Sequence, residues 1–270
     1  MSKASEIFGR DKALVGMVHV RALPGTPLAE HTVDELARIA ADEARTLHEA
    51  GFDSIMIENM HDRPYLWGAH GPEITAAMTR VGLAVRAVTD KPIGVQVLAG
   101  GQTEALAVAL AIGAGYIRVE NFVFAEVADE GLIAQATAGE LLRYRRAIGA
   151  DHIKVICDLQ KKHAAHAITG DLSLADWAHG AEFFGADGVI VTGPATGAPT
   201  DRADLEAVRA ATSLPLVVGS GVTSDTAASL LGIADAVIVG SALKQGGAWG
   251  EPLDSSHCAK MVETVRSAHP

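Results

Sequence analysis

The sequence predicts an α/β fold, a single (β/α)8 TIM barrel over residues 1–270, on three observations. Eight short runs rich in valine and isoleucine alternate with helical stretches from end to end. The runs mostly lack apolar–polar alternation, as expected of strands buried on both faces. Glycine helix stops recur just before the strands, and no linker or shift of composition interrupts the series. An open doubly wound sheet is the alternative. It needs a glycine fingerprint after its first strand, where this chain reads Arg21-Ala22-Leu23-Pro24-Gly25.

The elements follow in order. The first strand is Leu14–Val20. Thr32 and Glu35 have capping-box spacing ahead of a helix over Leu36–Glu49, which Gly51 closes. Ser54–Asn59 is the second strand. A 14-residue loop, Met60–Glu73, follows it, long beside the usual two to six. That loop carries Tyr65 and Trp67 in an aromatic-poor chain. It reads as a lid or binding loop, or else as a packing flap or a contact in a homo-oligomer. Ile93–Leu98 is the third strand, followed by a helix over Glu104–Ile112 that stops at Gly113. Tyr116–Asn121 and Ile153–Leu159 are the fourth and fifth strands. A helix over Ser173–Phe184 stops at Gly185 before the sixth strand, Gly188–Thr192. Asp204–Ala211 precedes Pro215 and the seventh strand, Leu216–Gly219. Ser224–Leu231 and Gly232 lead to the eighth, Ala236–Val239.

Composition narrows the function. Lys and Arg number 22 against 33 Asp and Glu, a net charge of −11, which argues against a nucleic-acid partner. Cys157 and Cys258 lack metal spacing, and a reduced cytoplasmic protein is the simplest expectation. The segment MSKASEIFGRDK has no apolar core for a signal peptide. The longest apolar run, Ala105–Ile117, is shorter than the roughly 20 residues of a membrane span.

In barrels of this kind the loops after strands seven and eight commonly hold a phosphate. Here they read Gly219-Ser220-Gly221-Val222-Thr223 and Gly240-Ser241-Ala242-Leu243-Lys244. Glycines let backbone N–H groups approach an anion, so Gly219, Ser220, Gly221, Gly240 and Ser241 are the expected phosphate site. The bland alternative is that the glycines merely permit tight turns.

The C-terminal strand ends, where barrel active sites sit, are rich in polar groups. Glu58, Glu120 and Asp158 are the candidate catalytic carboxylates, with Lys162 and His163 beside them. His19, Asn59, Gln96, Arg118, Asn121 and Thr192 are the candidate substrate-binding residues. Glu120 and Asp158 would also suit Mg²⁺, which favours carboxylates together with substrate phosphate oxygens. No organic cofactor is expected, and the 11 histidines show no strong zinc spacing. Period two puts Lys154, Ile156 and Asp158 on one face, and Arg118 and Glu120 on one face. A buried structural network of Arg118, Glu120 and Lys154 is the competing account. Cys157 alternates away from Asp158, so it is expected to pack against helices.

At these residues the chain resembles the BtpA/SgcQ family of barrel proteins. The matching pieces are Gly16-Met17-Val18-His19 with Leu23-Pro24-Gly25-Thr26-Pro27, Glu58-Asn59 with Asp62 and Pro64, and Gly71-Pro72-Glu73. They continue through Tyr116-Ile117-Arg118-Val119, Asp158 with Lys162-His163, and Thr192-Gly193 with Thr196-Gly197. Gly219-Ser220-Gly221-Val222-Thr223 and Gly240-Ser241 with Lys244 complete the set. The chain departs at Val119-Glu120-Asn121-Phe122, where relatives look more like Val-Asn-Val. It departs again at Thr226, where an Asn would be usual. The resemblance implies the barrel fold. For function it implies photosystem I biogenesis, nucleoside-triphosphatase activity or carbohydrate metabolism.

The phosphate loops and rim carboxylates together point to a phosphorylated sugar or nucleotide as substrate. Glycosyl transfer or hydrolysis at the anomeric carbon is the most concrete form. Isomerisation or aldol cleavage of a sugar phosphate is the alternative, with Lys154 as the mid-strand amine an imine-forming aldolase would need. A non-catalytic biogenesis factor for a membrane complex is the alternative from another class.

Overall fold

The computed structural model describes residues 2–68, 70–193 and 199–269. Eight parallel strands close into a barrel. They are β1 Ala13–His19, β2 Ser54–Glu58, β3 Ile93–Gln96, β4 Tyr116–Val119, β5 Lys154–Asp158, β6 Gly188–Val191, β7 Leu216–Val218 and β8 Ala236–Val239. Each pairs with its sequence neighbours, and β1 closes on β8. Seven end one or two residues before the sequence run does. Asn121, for example, has a left-handed φ of 49° and already belongs to the rim.

The helix punctuation is as read. Thr32 and Glu35 form both halves of the capping box that starts Val33–Ala50. Gly51, Gly113, Gly149 and Gly185 hold left-handed φ of 97°, 67°, 73° and 87° after their helices. Gly232 is different: its φ of −60° is right-handed. The helix before it is also shorter than expected, Ala227–Leu231, because Thr223 and Thr226 hydrogen-bond to one another in a turn.

Two apolar clusters fill the fold. One lies between strands and helices and includes Cys157, as its alternation predicted. The other lies inside the barrel, on Val15, Met17, Met56, Tyr116, Ile156, Ile190, Val217 and Ile238. A helix that the sequence reading did not anticipate, Lys3–Phe8, closes the lower end of this second cluster. Phe8 is fully buried there, edge-on to Tyr116 at 5.3 Å between ring centres. Also unanticipated is a small antiparallel sheet, 126–128, 131–133 and 164–165, built from the segments that follow β4 and β5.

The proposed Arg118–Glu120–Lys154 network does not form. Arg118 pairs with Asp158, Glu120 faces Lys161, and Lys154 reaches Asp187 at 3.4 Å. Lys154 opens β5, at the end of the barrel remote from the rim, so it is no amine for rim chemistry. No helix among the described residues is long and apolar enough to cross a membrane.

Candidate active site

Two chambers open at the C-terminal mouth of the barrel. The first, of about 230 Å³, is walled by the loops after β7 and β8 and floored by Met17, His19 and Ile238. The second, of about 270 Å³, is walled by Arg63, Tyr65, Gln96, Glu120, Glu130 and Trp249, among others. Glu58, Met60, Arg118 and Lys162 line both.

The strand register explains who faces in. Side chains two apart share a face, so the inward set that begins with Met17, Met56 and Tyr116 continues into His19, Glu58 and Arg118. The seventh and eighth strands continue it with Gly219 and Gly240. A Cβ on Gly219 would lie 2.5 Å from Ile190 and 2.7 Å from Thr192, and one on Gly240 would lie 3.1 Å from the His19 ring. Gly221 holds φ of 68°, a conformation that favours glycine. These glycines therefore keep the first chamber's wall thin, with main chain lining the cavity. Both loops line it, through Gly219, Ser220, Gly221, Gly240 and Ser241. The Ser220 hydroxyl also accepts a hydrogen bond from Gly193 N–H at 2.8 Å, which ties the sixth and seventh loops together.

Charge at the junction is divided between paired and unpaired groups. Arg118 donates to both oxygens of Asp158 at 2.9 Å, and both residues are buried. Burial opposes the Arg118 charge, but Asp158 overcomes it and holds the guanidinium above its usual range. Lys161 lies 2.7 Å from Glu130 and 3.5 Å from Glu120. Burial raises Glu120 above the ordinary carboxylate range, against the pull of Lys161. Glu58 and Lys162 are the exceptions: among the described residues the side chain of neither has a hydrogen-bond or ion-pair partner. Burial, then Arg118, push the Lys162 amine below the usual lysine range. The His19 imidazole falls to about 3 through burial and then Lys244. It is therefore neutral, with Nδ1 3.1 Å from the Trp249 carbonyl.

Several expected site residues serve elsewhere. Asp158 lines neither chamber, because both its oxygens are used to orient Arg118. Asn59 is fully buried. Its amide carbonyl accepts from Leu98 N–H at 2.6 Å, and its amide nitrogen donates to Asp62 at 2.8 Å, so it braces the second loop. Asn121 donates to the Gln135 carbonyl at 2.8 Å, and Thr192 donates to that of Gln160 at 3.3 Å. Gln96 and His163 do line the second chamber. Thr196 and Gly197 lie outside the described residues.

The carboxylates do not fit a magnesium cradle. Asp158 is committed to Arg118 and Glu120 faces Lys161. Among the described residues no three His, Cys, Asp or Glu gather at metal-holding distance.

Tyr65 joins the site as the long loop suggested, and its hydroxyl donates to the Met60 carbonyl at 2.7 Å. Trp249, Arg63, Lys161 and Glu130 were not singled out from sequence. Arg63 lies 4.8 Å over the Trp249 ring. The available signal was scarcity: Trp249 is one of three tryptophans, within a glycine-rich segment after the last strand.

The profile of the BtpA family matches residues 10–267. The mitochondrial protein F13E9.13 of Caenorhabditis elegans is 38% identical over 97% of this chain and 96% of its own. The photosystem I biogenesis protein BtpA of Synechocystis is 33% identical over 96% of this chain and 90% of its own. Among solved structures, (S)-3-O-geranylgeranylglyceryl phosphate synthase from Thermoplasma acidophilum, in complex with sn-glycerol-1-phosphate, superposes with a TM-score of 0.60. It is 16% identical and covers 99% of both chains, a likeness of fold.

Proposed function

The chain belongs to the BtpA family, and from that premise we propose that it is an enzyme acting on a phosphorylated sugar or nucleotide, by glycosyl transfer or hydrolysis at the anomeric carbon. One observation carries this reading. The glycine-walled chamber and the aromatic-edged chamber meet at Glu58, a carboxylate with no partner among the described residues. A molecule with its phosphate against residues 219–223 and 240–242 and its leaving group beside Tyr65 and Trp249 spans that carboxylate.

The roles follow from the geometry. Main chain at the seventh and eighth loops holds the phosphate, as glycine-rich loops do in barrels of this kind. Asp158 fixes the plane of Arg118, which faces both chambers and stabilises negative charge. Glu58 delivers a proton to the leaving group, or as carboxylate stabilises the positive charge that develops at the anomeric carbon. No step passes through a metal.

The relative named for photosystem I biogenesis favours a second reading, a non-catalytic assembly factor. The two readings separate in one experiment. Sugar phosphates and nucleotides are screened for turnover, and inorganic phosphate for thermal stabilisation, with unmodified protein and Glu58→Gln. The enzyme reading expects turnover that falls about 10²-fold or more in Glu58→Gln. It expects a phosphate-induced rise in melting temperature that both proteins share. Absence of turnover across the screen, with and without Mg²⁺, sinks it.

A further inference from the structure

Lys162 lies at the mouth, and this chemistry leaves it without a task. Four other lysines of the barrel are engaged. Lys161 is held by Glu130 and Glu120, and Lys154 by Asp187. Lys244 is buried, with both Glu43 oxygens 2.8 and 2.9 Å from its amine. Lys12 donates to the Ala234 carbonyl. Lys162 alone lines both chambers, and it has no partner among the described residues. The unpaired Glu58 lines the same two chambers.

We propose that the Lys162 amine condenses with the carbonyl carbon of an open-chain aldose or ketose phosphate whose phosphate sits in the first chamber, forming a covalent imine. This inference rests on the phosphate chamber of the proposed function and concerns the free reducing sugar phosphate, which a glycoside or nucleotide yields only once its anomeric bond is cleaved. The anomeric carbon of a sugar is a carbonyl carbon once the ring opens. The step balances without an outside reagent. Nζ adds to the carbonyl carbon, and the C=O π bond becomes C–O⁻. One proton leaves nitrogen through Glu58 and reaches that oxygen, giving a carbinolamine. The C–O bond then breaks as the second N–H proton, again carried by Glu58, leaves with the hydroxyl as water. A C=N bond remains, and no group is oxidised or reduced.

A neutral amine is required. Burial, and then the Arg118 guanidinium, both favour that form of Lys162, while Glu58, Asp158 and Glu120 oppose them more weakly. The same arrangement disposes of Lys154, whose amine sits beside Asp187 at the far end of β5.

The test uses pyridoxal 5′-phosphate, an aldehyde that carries a phosphate, followed by borohydride reduction and peptide mass mapping. The expected result is one label per chain, on Lys162. Inorganic phosphate should slow the labelling. Pyridoxal, which lacks the phosphate, should react about tenfold slower or worse, since it loses the anchoring. Lys162→Arg and Lys162→Met should both lose the label, and the arginine variant keeps the charge. Label spread over exposed Lys3 and Lys260, or resting on Lys161, overturns the proposal, as does undiminished labelling of Lys162→Arg. Phosphate-induced thermal stabilisation without labelling overturns the imine alone and leaves the proposed function standing. Labelling of Lys162 that phosphate does not slow overturns the phosphate chamber, and this proposal with it.

Discussion

The lower and upper halves of the barrel interior are made by the same strands, two residues apart. Below lie Met56, Tyr116, Ile156, Ile190, Val217 and Ile238, all within one apolar cluster. Above them on the same faces lie Glu58, Arg118, Asp158, Thr192, Gly219 and Gly240. One step of period two takes each strand from a packed core to a polar or glycine-lined mouth. The helix Lys3–Phe8 seals the lower end, and the two chambers open at the upper end. The contrast teaches a division of labour: residues below the step hold the fold, and residues above it carry charge that the fold must tolerate.

The sharpest way to break that division is to exchange its expected effects. Glu58→Gln should cut turnover by about 10²-fold or more and leave the urea midpoint almost unmoved. Phe8→Ala should do the reverse. It empties a fully buried ring site and should cost about 3–5 kcal/mol, read from urea unfolding, with turnover per folded molecule unchanged. A large stability loss in the first variant, or a specific loss of turnover in the second, would erase the distinction.

Arg118–Asp158 tests the boundary itself, because it is a charged pair above the step that is as buried as the core below. Removing one member of a buried pair leaves the other uncompensated. Asp158→Asn should cost about 3 kcal/mol, since the amide still offers one acceptor to the guanidinium. It should also enlarge the phosphate-induced thermal shift, because Arg118 would then face the first chamber with its charge unmatched. A smaller shift would mean that Asp158 orients Arg118 toward the anion more than it neutralises it.

Much of this was legible in the sequence. Strands buried on both faces announce themselves as short runs of Val and Ile, and their closing glycines are required by left-handed backbone. The position of each strand end marked His19, Glu58, Gln96 and Arg118 as mouth residues, and all four line a chamber. What it does not reveal is whether an inward or rim side chain is already used. Asn59, Asn121 and Thr192 are consumed by main-chain groups of neighbouring loops, and Asp158 by an arginine 40 residues away. Such partners are set by how loops fold over the mouth, which no local pattern encodes. Lys161 illustrates this: the sequence reading passed over it for its neighbour Lys162, yet its Glu130 partner comes from the small sheet that the reading did not foresee. The helix Lys3–Phe8 was missed because it is a single short turn-and-a-half whose stability comes from the barrel floor it covers.

The smallest expected effect sets the two regions against each other by pH. His19 lies at the barrel mouth and Glu126 in the small sheet beside it, His19 6% and Glu126 1% exposed. Burial, then Glu120, push Glu126 from 4.5 up to about 7. Its folded-state advantage is therefore complete below pH 4.5 and is lost as pH rises through 7. Burial, then Lys244, push His19 from 6.5 down to about 3. Its advantage is complete above pH 6.5 and is lost as pH falls toward 3. Between pH 4.5 and 6.5 the two slopes oppose, each at most about 1.4 kcal/mol per pH unit. Difference curves separate them, because they cancel other titrating groups such as His61, which burial also lowers, to about 4. Glu120, whose charge helps to raise Glu126, and His166, 3.4 Å from it, are groups whose own titration would follow the Glu126 change. Unmodified protein minus Glu126→Gln should lose stability as pH rises across this window, and unmodified protein minus His19→Gln should lose it as pH falls. Urea midpoints at half-unit steps would show both. Two curves of the same sign would mean that one of these groups meets water in the folded state, and a flat His19 curve would place that water in the first chamber.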